Sequence, residues 1–413
     1  MKQARTTYAY TLLSFLWASL MLASCAADDL APADGSRRAI VFDAADRQEA
    51  VTSRAASTPL ADFGINQITV YGYKTLGGTL QNVMPGYTLS YTANSAKTSL
   101  TNATGWEYVG KGTDYLGYDQ EIKYWDGNST DYRFFGVLPS SSTSSSSSTL
   151  QYKASASATP ANITTSTQAT TDGSFVLSFS GLEYMIRKQT TSGTTAYYKS
   201  DGTTEVKESA IPIYGHLWQG DPAANSTQPV TLAFVKPYAL IRLVFMRPEG
   251  TSTTQLGDPT GTDNTKDITF APIKGSIAGS GNLTITYPMT GSEESYKVTS
   301  DGTSTLTQMD LGTLELTQQD VQYQAWPEYV MLPTNSGSNP AFKCTAYIYT
   351  KNSSGTGKYE ARTATVPAAY MQWRPGYQYT YIFKITSTNT LEFSHVLEVY
   401  TKWQAGYVQE TTW

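Results

Sequence analysis

The sequence predicts an all-β protein made of two tandem antiparallel β-sandwich domains with a few short helical turns. Several segments alternate apolar and polar residues with a period of two, which indicates strands that are buried on one face and wet on the other. Charged residues are only 15% of the chain, whereas Gly, Ser, Thr and Tyr are abundant. No long amphipathic helical pattern is present, and this composition is typical of many short strands joined by polar turns.

Residues 1–24 are predicted to be an export signal. Lys2 and Arg5 precede an apolar stretch, Tyr10 to Leu22, which is shorter than the ~20 residues that a membrane-spanning helix needs. The stretch ends in Leu-Ala-Ser-Cys, which resembles the bacterial lipobox, and this predicts a diacylglycerol and N-acyl lipid on Cys25. We expect no other cofactor.

The remaining length suits two domains. We predict a lipidated propeptide with the first strand at 25–54, an N-terminal sandwich at 55–228 and a C-terminal sandwich with its closing strand and tail at 229–413. The propeptide is polar and acidic except for an apolar island, Ala39 to Phe42, that could form a short strand. The boundary is placed in the polar segment Gly220 to Pro229.

The strongest strand patterns lie in the second half of the chain, whereas the first strong strand is predicted at Ile65 to Tyr73. Alternation assigns one face of each strand to a hydrophobic core. The predicted core positions are Val230, Leu232 and Phe234; Phe342, Cys344, Ala346 and Ile348; Tyr377, Tyr379, Tyr381, Phe383 and Ile385; and Leu391, Phe393, Leu397, Val399 and Trp403.

Charge and cysteine content exclude two classes of protein. The formal net charge is -5 and the isoelectric point is near 5.2, which argues against nucleic-acid binding. Besides Cys25 the only cysteine is Cys344, so no disulfide within the body is expected and its stability must come from packing.

The sequence does not predict an enzyme, because convergent titratable groups are scarce. The two histidines are His216 and His395. His395 is expected on the apolar face of the last strand as a core residue, and His216 in a turn without a metal-binding partner.

Two further segments have some of the features of binding sites. Gly105 to Lys111 begins like a phosphate-binding loop, but Gly112 replaces the required Ser or Thr. Asp258, Asp263 and Asp267 could gather around calcium, yet their spacing departs from known calcium loops and favours a solvated acidic loop. We therefore predict no metal site.

The abundant aromatic residues leave an alternative open. Exposed Tyr and Trp could stack on sugars, although strands also favour aromatic residues. The alternative function is a monomeric glycan-binding lipoprotein of the cell surface.

Several segments together resemble the fimbrillin family of Bacteroidales, which contains type V pilins and their accessory subunits. The resemblance covers nearly the whole chain. It rests on the lipobox at Cys25; on Ala39-Ile40-Val41-Phe42 followed by Thr52-Ser53-Arg54-Ala55; on Leu60 to Gly64 leading into Ile68 to Tyr73; and on Pro375 to Tyr381 with a closing strand that ends at Trp403.

The resemblance implies transthyretin-like sandwiches and assembly by strand exchange. An arginine-specific protease would cut between Arg54 and Ala55 and release the first strand, Ala39 to Asp43, with Ile40, Val41 and Phe42 at its centre. The vacated edge would then accept a strand of a neighbouring subunit.

The donor strand and the position in the filament stay open at this point. The tail, with Tyr407, Val408 and Trp413, is favoured over Leu391 to Trp403 as the donor. Shaft, tip and anchor roles are all compatible with the sequence. The implied partners are other pilin subunits, the protease, the outer membrane through the lipid and a host or bacterial surface ligand, with a location on the cell surface in a fimbrium.

Overall fold

A computed structural model gives the structure of the protein. It describes residues 38–46, 67–91, 106–107, 122–137, 153–156, 174–207, 210–247, 254–257, 266–288, 294–318, 320–351 and 357–400. The earlier strands are β1 (Phe42–Asp46), β2 (Gln67–Leu76), β3 (Thr79–Tyr91), β4 (Trp106–Glu107), β5 (Asp131–Val137), β6 (Lys153–Ala156), β7 (Ser174–Glu183), β8 (Met185–Gln189), β9 (Thr195–Tyr198), β10 (Glu205–Val206), β11 (Tyr214–Gly215), β12 (Trp218–Gly220) and β13 (Val230–Val235). The later strands are β14 (Ala239–Met246), β15 (Thr254–Leu256), β16 (Thr269–Pro272), β17 (Ile277–Ala278), β18 (Ser280–Pro288), β19 (Ser295–Ser300), β20 (Thr305–Leu306), β21 (Met309–Asp310), β22 (Leu314–Leu316), β23 (Gln322–Gln324), β24 (Glu328–Met331), β25 (Phe342–Lys351), β26 (Gly357–Val366), β27 (Tyr377–Ile385) and β28 (Leu391–Tyr400).

Helical structure is sparse in the described part of the chain. A single-turn helix, α1 (Pro222–Asn225), follows β12, and a 3₁₀ turn spans Ala368–Tyr370. Asp221 caps α1 by accepting a hydrogen bond from the Ala223 N–H at 2.8 Å, and Pro222 takes the first helical position, where its missing N–H costs nothing. The expected short helical turns are therefore present. The helix α1 lies within Gly220 to Pro229, the polar segment in which the domain boundary is predicted.

The N-terminal sheet closes on itself. Its strand order is β11-β13-β1-β4-β3-β2-β5-β12, and β11 also pairs with β5. Following the pairs from β11 through β13, β1, β4, β3, β2 and β5 therefore returns to β11, and we call this set the strand ring. Its interior holds one hydrophobic core, in which Phe42, Phe134 and Phe234 are all buried.

A second core lies outside the strand ring. A sheet with the order β19-β18-β7-β6 supplies residues such as Phe175 and Ile285, and the outer face of the ring supplies Phe135 and Val137. Leu240 of β14 belongs to the same core. Residues from these three surfaces thus contribute to one hydrophobic core.

The third core belongs to a β-sandwich. One sheet has the order β10-β9-β8-β24-β14-β27-β28, with β23 also on β14; the other has the order β21-β16-β25-β15-β22, with β26 also on β25. Their facing sides meet at Phe245 and Phe383 from the first sheet and at Phe270 and Phe342 from the second. The all-β sandwich class predicted from the sequence is confirmed, and among the described pairs only β1–β13 and β14–β27 are parallel.

Most predicted core positions are buried as expected. This holds for the alternating positions of β13, β25 and β27. The first strong strand begins at Gln67 and runs to Leu76, close to the predicted Ile65 to Tyr73.

The last strand departs from its predicted alternation. Ile382 pairs with His395 but Phe383 pairs with Phe393, so Ser394 is an extra residue in β28. A bulge of this kind reverses which face the following residues occupy. Leu391 and Phe393 point into the core as predicted, whereas Val399 is 48% exposed and His395 is exposed, so the expectation of a core histidine is wrong.

Several strand pairs cross the predicted domain boundary at residue 229. β13 pairs with β1 and β11, β18 pairs with β7, and β24 pairs with β8. The two ranges 55–228 and 229–413 therefore share sheets, and their division into two domains stays a prediction.

Candidate functional site: the slot of the first strand

The first strand is an interior strand of the ring. β1 runs parallel to β13, with Phe42 opposite Val230 and Asp46 opposite Phe234, and it meets β4 through Phe42 and Trp106. The Val230 N–H donates to the Val41 carbonyl at 2.8 Å. We call the space that residues 38–46 occupy between these neighbours the first-strand slot.

The residues before β1 are held by a different segment. The Ile40 N–H donates to the carbonyl of Lys123 at 2.8 Å, and the Trp125 N–H donates to the carbonyl of Arg38 at 2.9 Å. We call residues 122–126 the acceptor edge. The slot thus has two halves, antiparallel to the acceptor edge at its start and parallel to β13 at its end.

Two side chains of the first strand are inserted completely into the ring core. Ile40 and Phe42 are both 0% exposed. The Phe42 ring meets the Phe134 ring edge to face, with centroids 5.2 Å apart and planes at 86°, a favourable arrangement of aromatic quadrupoles. Burying these two side chains contributes about 1.5–3 kcal/mol each.

Two glycines make room for the aromatic rings of this core. A Cβ added at Gly72 would lie 2.6 Å from a ring carbon of Phe134, and one added at Gly136 would lie 2.6 Å from a ring carbon of Phe234. Contacts this short would force the rings to move. Residues at both positions must be small for the ring interior to hold Phe42 as well.

An ion pair fastens the acceptor edge to the ring. Lys74 Nζ of β2 lies 2.9 Å from Asp126 Oδ2, and both side chains are about nine-tenths buried. The other carboxylate oxygen accepts from the Asn128 N–H at 3.0 Å, and the Asp126 N–H donates to the Tyr132 hydroxyl at 2.8 Å. Trp125, which precedes Asp126 in the chain, is buried and its ring contacts the ring of Tyr132.

A separate buried charge cluster lies in the sheet that contains β8, β14 and β24. Glu328 is 0% exposed and its carboxylate contacts Arg187 at 2.6 Å and Arg242 at 2.5 Å. Gln324 donates a further hydrogen bond to it at 2.7 Å. The cluster joins β8, β14 and β24 and has a structural role, because a buried carboxylate must be paired to be tolerated.

The two histidines do not come together. His216 lies between β11 and β12, and its Nδ1 contacts the carboxylate of Glu294. His395 Nδ1 lies 3.0 Å from the Ser394 hydroxyl on the exposed bulge of β28. Neither has a second histidine as a partner in the described structure, and the ring of His216 packs near Tyr214 instead.

The described residues contain no group of three or more His, Cys, Asp or Glu side chains placed to hold a metal ion. Of the three aspartates weighed for calcium, Asp267 is described, and burial together with the nearby Asp310 raises the pKa of its carboxyl group. Trp106, within the segment that resembled a phosphate loop, is 1% exposed in the ring core. Within the same described ranges, no helix has the length and hydrophobicity needed to span a membrane.

The predicted first strand, with Ile40, Val41 and Phe42, is within the described residues. Its regular part begins later than predicted, at Phe42, and ends at Asp46 rather than Asp43. The other predicted site residues lie outside the described residues: Cys25, Arg54, Ala55, Asp258, Asp263, Tyr407, Val408 and Trp413.

Sequence reasoning missed the partners of the first strand. The alternation in β13 indicated a strand but not its parallel partner, and residues 122–126, although they include Ile122, Tyr124 and Trp125, give no sign that they pair with the first strand. The pairing of distant segments has no local sequence signal.

Comparisons with known proteins give structural neighbours only. No family model matches the sequence, and no curated protein matches it. A candidate cell adhesion protein from Bacteroides uniformis is similar in structure at 14% identity and a TM-score of 0.32, over 90% of this chain and 99% of that one. The tip fimbrial protein Mfa3 from Porphyromonas gingivalis, truncated at its C-terminus, is similar at 10% identity and a TM-score of 0.28, over 88% and 100% of the two chains.

The fimbrial anchor protein Mfa2 from Porphyromonas gingivalis is similar at 10% identity and a TM-score of 0.26, over 88% of this chain and 98% of that one. The fold and the slot define this chain as an all-β, multi-sheet sandwich protein whose first strand is an interior strand.

Proposed function

We propose that this chain is a subunit of a surface fimbria with a role in adhesion, assembled by release and replacement of its first strand. The observation that carries the proposal is the position of residues 38–46 inside the strand ring, with Ile40 and Phe42 fully buried. The segment that joins this strand to β2 contains Arg54. A single cut there leaves β1 attached to the body by non-covalent contacts alone.

Loss of β1 would open the ring between β13 and β4. Both neighbours would then present backbone N–H and C=O groups without partners, beside an apolar cavity lined by Phe134. Such an edge binds another extended strand strongly, since main-chain hydrogen bonds and side-chain burial are regained together. Replacing Ile40 and Phe42 alone would recover about 3–6 kcal/mol, which favours a lasting junction.

The proposal assigns roles to the residues at both ends of the chain. Cys25 carries the lipid that holds the precursor at the outer membrane, and an arginine-specific protease cuts between Arg54 and Ala55. The C-terminal tail, with Tyr407, Val408 and Trp413, is the donor strand for the next subunit. The partners are other subunits of the same fimbria and, at the filament surface, a host or bacterial ligand.

Digestion of the precursor with an arginine-specific protease tests this function. Wild-type protein should give a product that begins at Ala55 and a ladder of stable oligomers on native gels. Arg54→Ala should abolish both, whereas Arg47→Ala, which removes another arginine of the same linker, should leave both intact. A product that begins at Ala55 but stays monomeric would contradict strand exchange, whereas a mature protein on cells that still begins at a lipidated Cys25 would favour the monomeric glycan-binding lipoprotein.

A further inference from the structure

We propose that Lys74 and Asp126 form a clasp that keeps the acceptor edge in place after the first strand has left, so that this pair sets the rate at which the slot captures a new strand. The inference rests on the proposed function and concerns the regulation of the same site. The clasp acts through residues 122–126, so its two members are positioning residues.

The acceptor edge is the less supported half of the slot. β13 is paired on its other side with β11, through Tyr214 opposite Val235. The acceptor edge is not part of a regular strand in the structure; it contributes the isolated bridge between Tyr124 and Ala39. Once residues 38–40 are gone, its position therefore depends on contacts other than a strand ladder.

The clasp and its neighbouring hydrogen bonds supply those contacts. Asp126 is tied to β2 by Lys74 and to β5 by the Tyr132 hydroxyl. The loop that follows is tied to β2 as well, because the Thr130 N–H donates to the Thr75 carbonyl at 3.0 Å. None of these bonds involves residues 38–46, so the departure of the first strand removes none of their partners.

A fixed acceptor edge matters for the rate of capture. The Lys123 carbonyl and the Trp125 N–H must both point into the slot to receive an incoming strand, as they do for Ile40 and Arg38. If this segment had to be ordered at the moment of binding, its conformational entropy would oppose capture. A preformed edge avoids this cost and also prescribes the polarity of the entering strand, antiparallel to residues 122–126 and parallel to β13.

The test uses the double variant Lys74→Met/Asp126→Asn in the full chain. This change removes both charges but keeps the lysine stem and the oxygen that accepts from Asn128. The matched control is Lys358→Met/Glu360→Gln, which removes an ion pair of the same charge types on the distant strand β26.

In the uncut precursor, amide hydrogen exchange is the first measurement. Loss of a largely buried ion pair should make the Ile40 and Trp125 amides exchange about tenfold faster, whereas the Val230 amide of β13, which donates to Val41 at the other half of the slot, should keep its rate. The control variant should match wild type at all three amides. Equal rates for Trp125 in the wild type and the clasp variant would overturn the inference.

After digestion and removal of the released strand, capture of a fluorescent peptide with the sequence of residues 38–46 is the second measurement. The clasp variant should associate about tenfold more slowly than wild type, since the acceptor edge must first be ordered. Equal association rates would overturn the clasp. If processed wild-type protein captures no peptide, strand exchange itself is overturned. The amide hydrogen-exchange rates of the uncut precursor distinguish this outcome from failure of the clasp, because they do not depend on capture. If the double variant also loses protection at Val230, Lys74→Gln/Asp126→Asn provides the milder change, because it leaves neither side chain as an uncompensated buried charge, and the same order of rates is expected.

Discussion

Phe134 and Phe135 are adjacent on β5, yet they fill two different hydrophobic cores. Phe134 lies inside the strand ring against Phe42, whereas Phe135 lies outside it and stacks on Tyr287 of β18 with ring centroids 4.6 Å apart. Because successive side chains of a strand point to opposite faces, one strand forms the wall between the first-strand slot and the middle of the molecule. Burial raises the pKa of the Tyr287 hydroxyl, which donates to the Gly215 carbonyl at 2.8 Å and further ties β18 to the ring.

The first prediction concerns the contribution of the first strand to the stability of the uncut precursor. Ile40→Ala should lower the free energy of unfolding by about 2–5 kcal/mol, because it leaves a cavity in a closed core. Ile273→Ala provides a matched control, since Ile273 is 45% exposed and its truncation should cost about 0.5 kcal/mol or less. Chemical denaturation monitored by tryptophan fluorescence measures both, and equal losses for the two variants would show that Ile40 is not a core residue.

The second prediction concerns the buried charge cluster around Glu328. Glu328→Gln should destabilise the protein by about 3–5 kcal/mol, because Arg187 and Arg242 would keep their positive charges without the carboxylate between them. The exposed Glu315 on β22 serves as the control, and Glu315→Gln should have little effect. Thermal unfolding of both variants checks this, and a Glu328→Gln protein as stable as wild type would mean that the arginines are solvated.

The third prediction concerns pH. Hydrogen bonds from the Ser280 hydroxyl at 2.5 Å and from the Thr303 N–H at 3.0 Å lower the pKa of Asp301 from its ordinary value near 3.8. A carboxylate whose folded pKa is lowered stabilises the protein above the unfolded pKa, and this stabilisation is lost as the pH falls through the folded pKa. Asp301→Asn should therefore cost about 0.5–1 kcal/mol at pH 7 and nothing once the pH is below the folded pKa.

Melting temperatures of wild-type and Asp301→Asn protein between pH 7 and pH 2 test this dependence. Glu392→Gln on the exposed face of β28 controls for the loss of one surface charge. A difference between wild type and Asp301→Asn that stays constant down to pH 2 would contradict the assigned hydrogen bonds to the ionised carboxylate.

The fourth prediction concerns Cys344. Its thiol is fully buried in the sandwich core, and burial raises its pKa well above the ordinary value, so little reactive thiolate forms. Iodoacetamide should modify Cys344 only at the rate of unfolding, as measured by mass spectrometry of its peptide. As a control, Lys343→Cys in a Cys344→Ala background places a thiol on the exposed face of β25, and iodoacetamide should modify it in the native protein. Rapid modification of Cys344 in the native wild-type protein would contradict its burial.

The extent to which the sequence determined this structure differs between strands. The alternations in β13, β25 and β27 identified one core face of each strand, because the pattern is local, but β27 also buries Ile382, which alternation alone places on the opposite face. In β28 the same reasoning failed after Phe393, since the sequence alone does not show that Ser394 forms a bulge against β27.

The same distinction applies to the first-strand slot. The sequence by itself determined that Ala39 to Phe42 is an apolar island in a polar segment, followed by an arginine and then by a folded β-rich body. Only the tertiary structure decided that this island runs parallel to β13, closes a ring of strands and meets residues 122–126 at its start. The physical reason is that apolar character depends on residues close together in the chain, whereas strand pairing depends on hydrogen bonds between segments far apart in it.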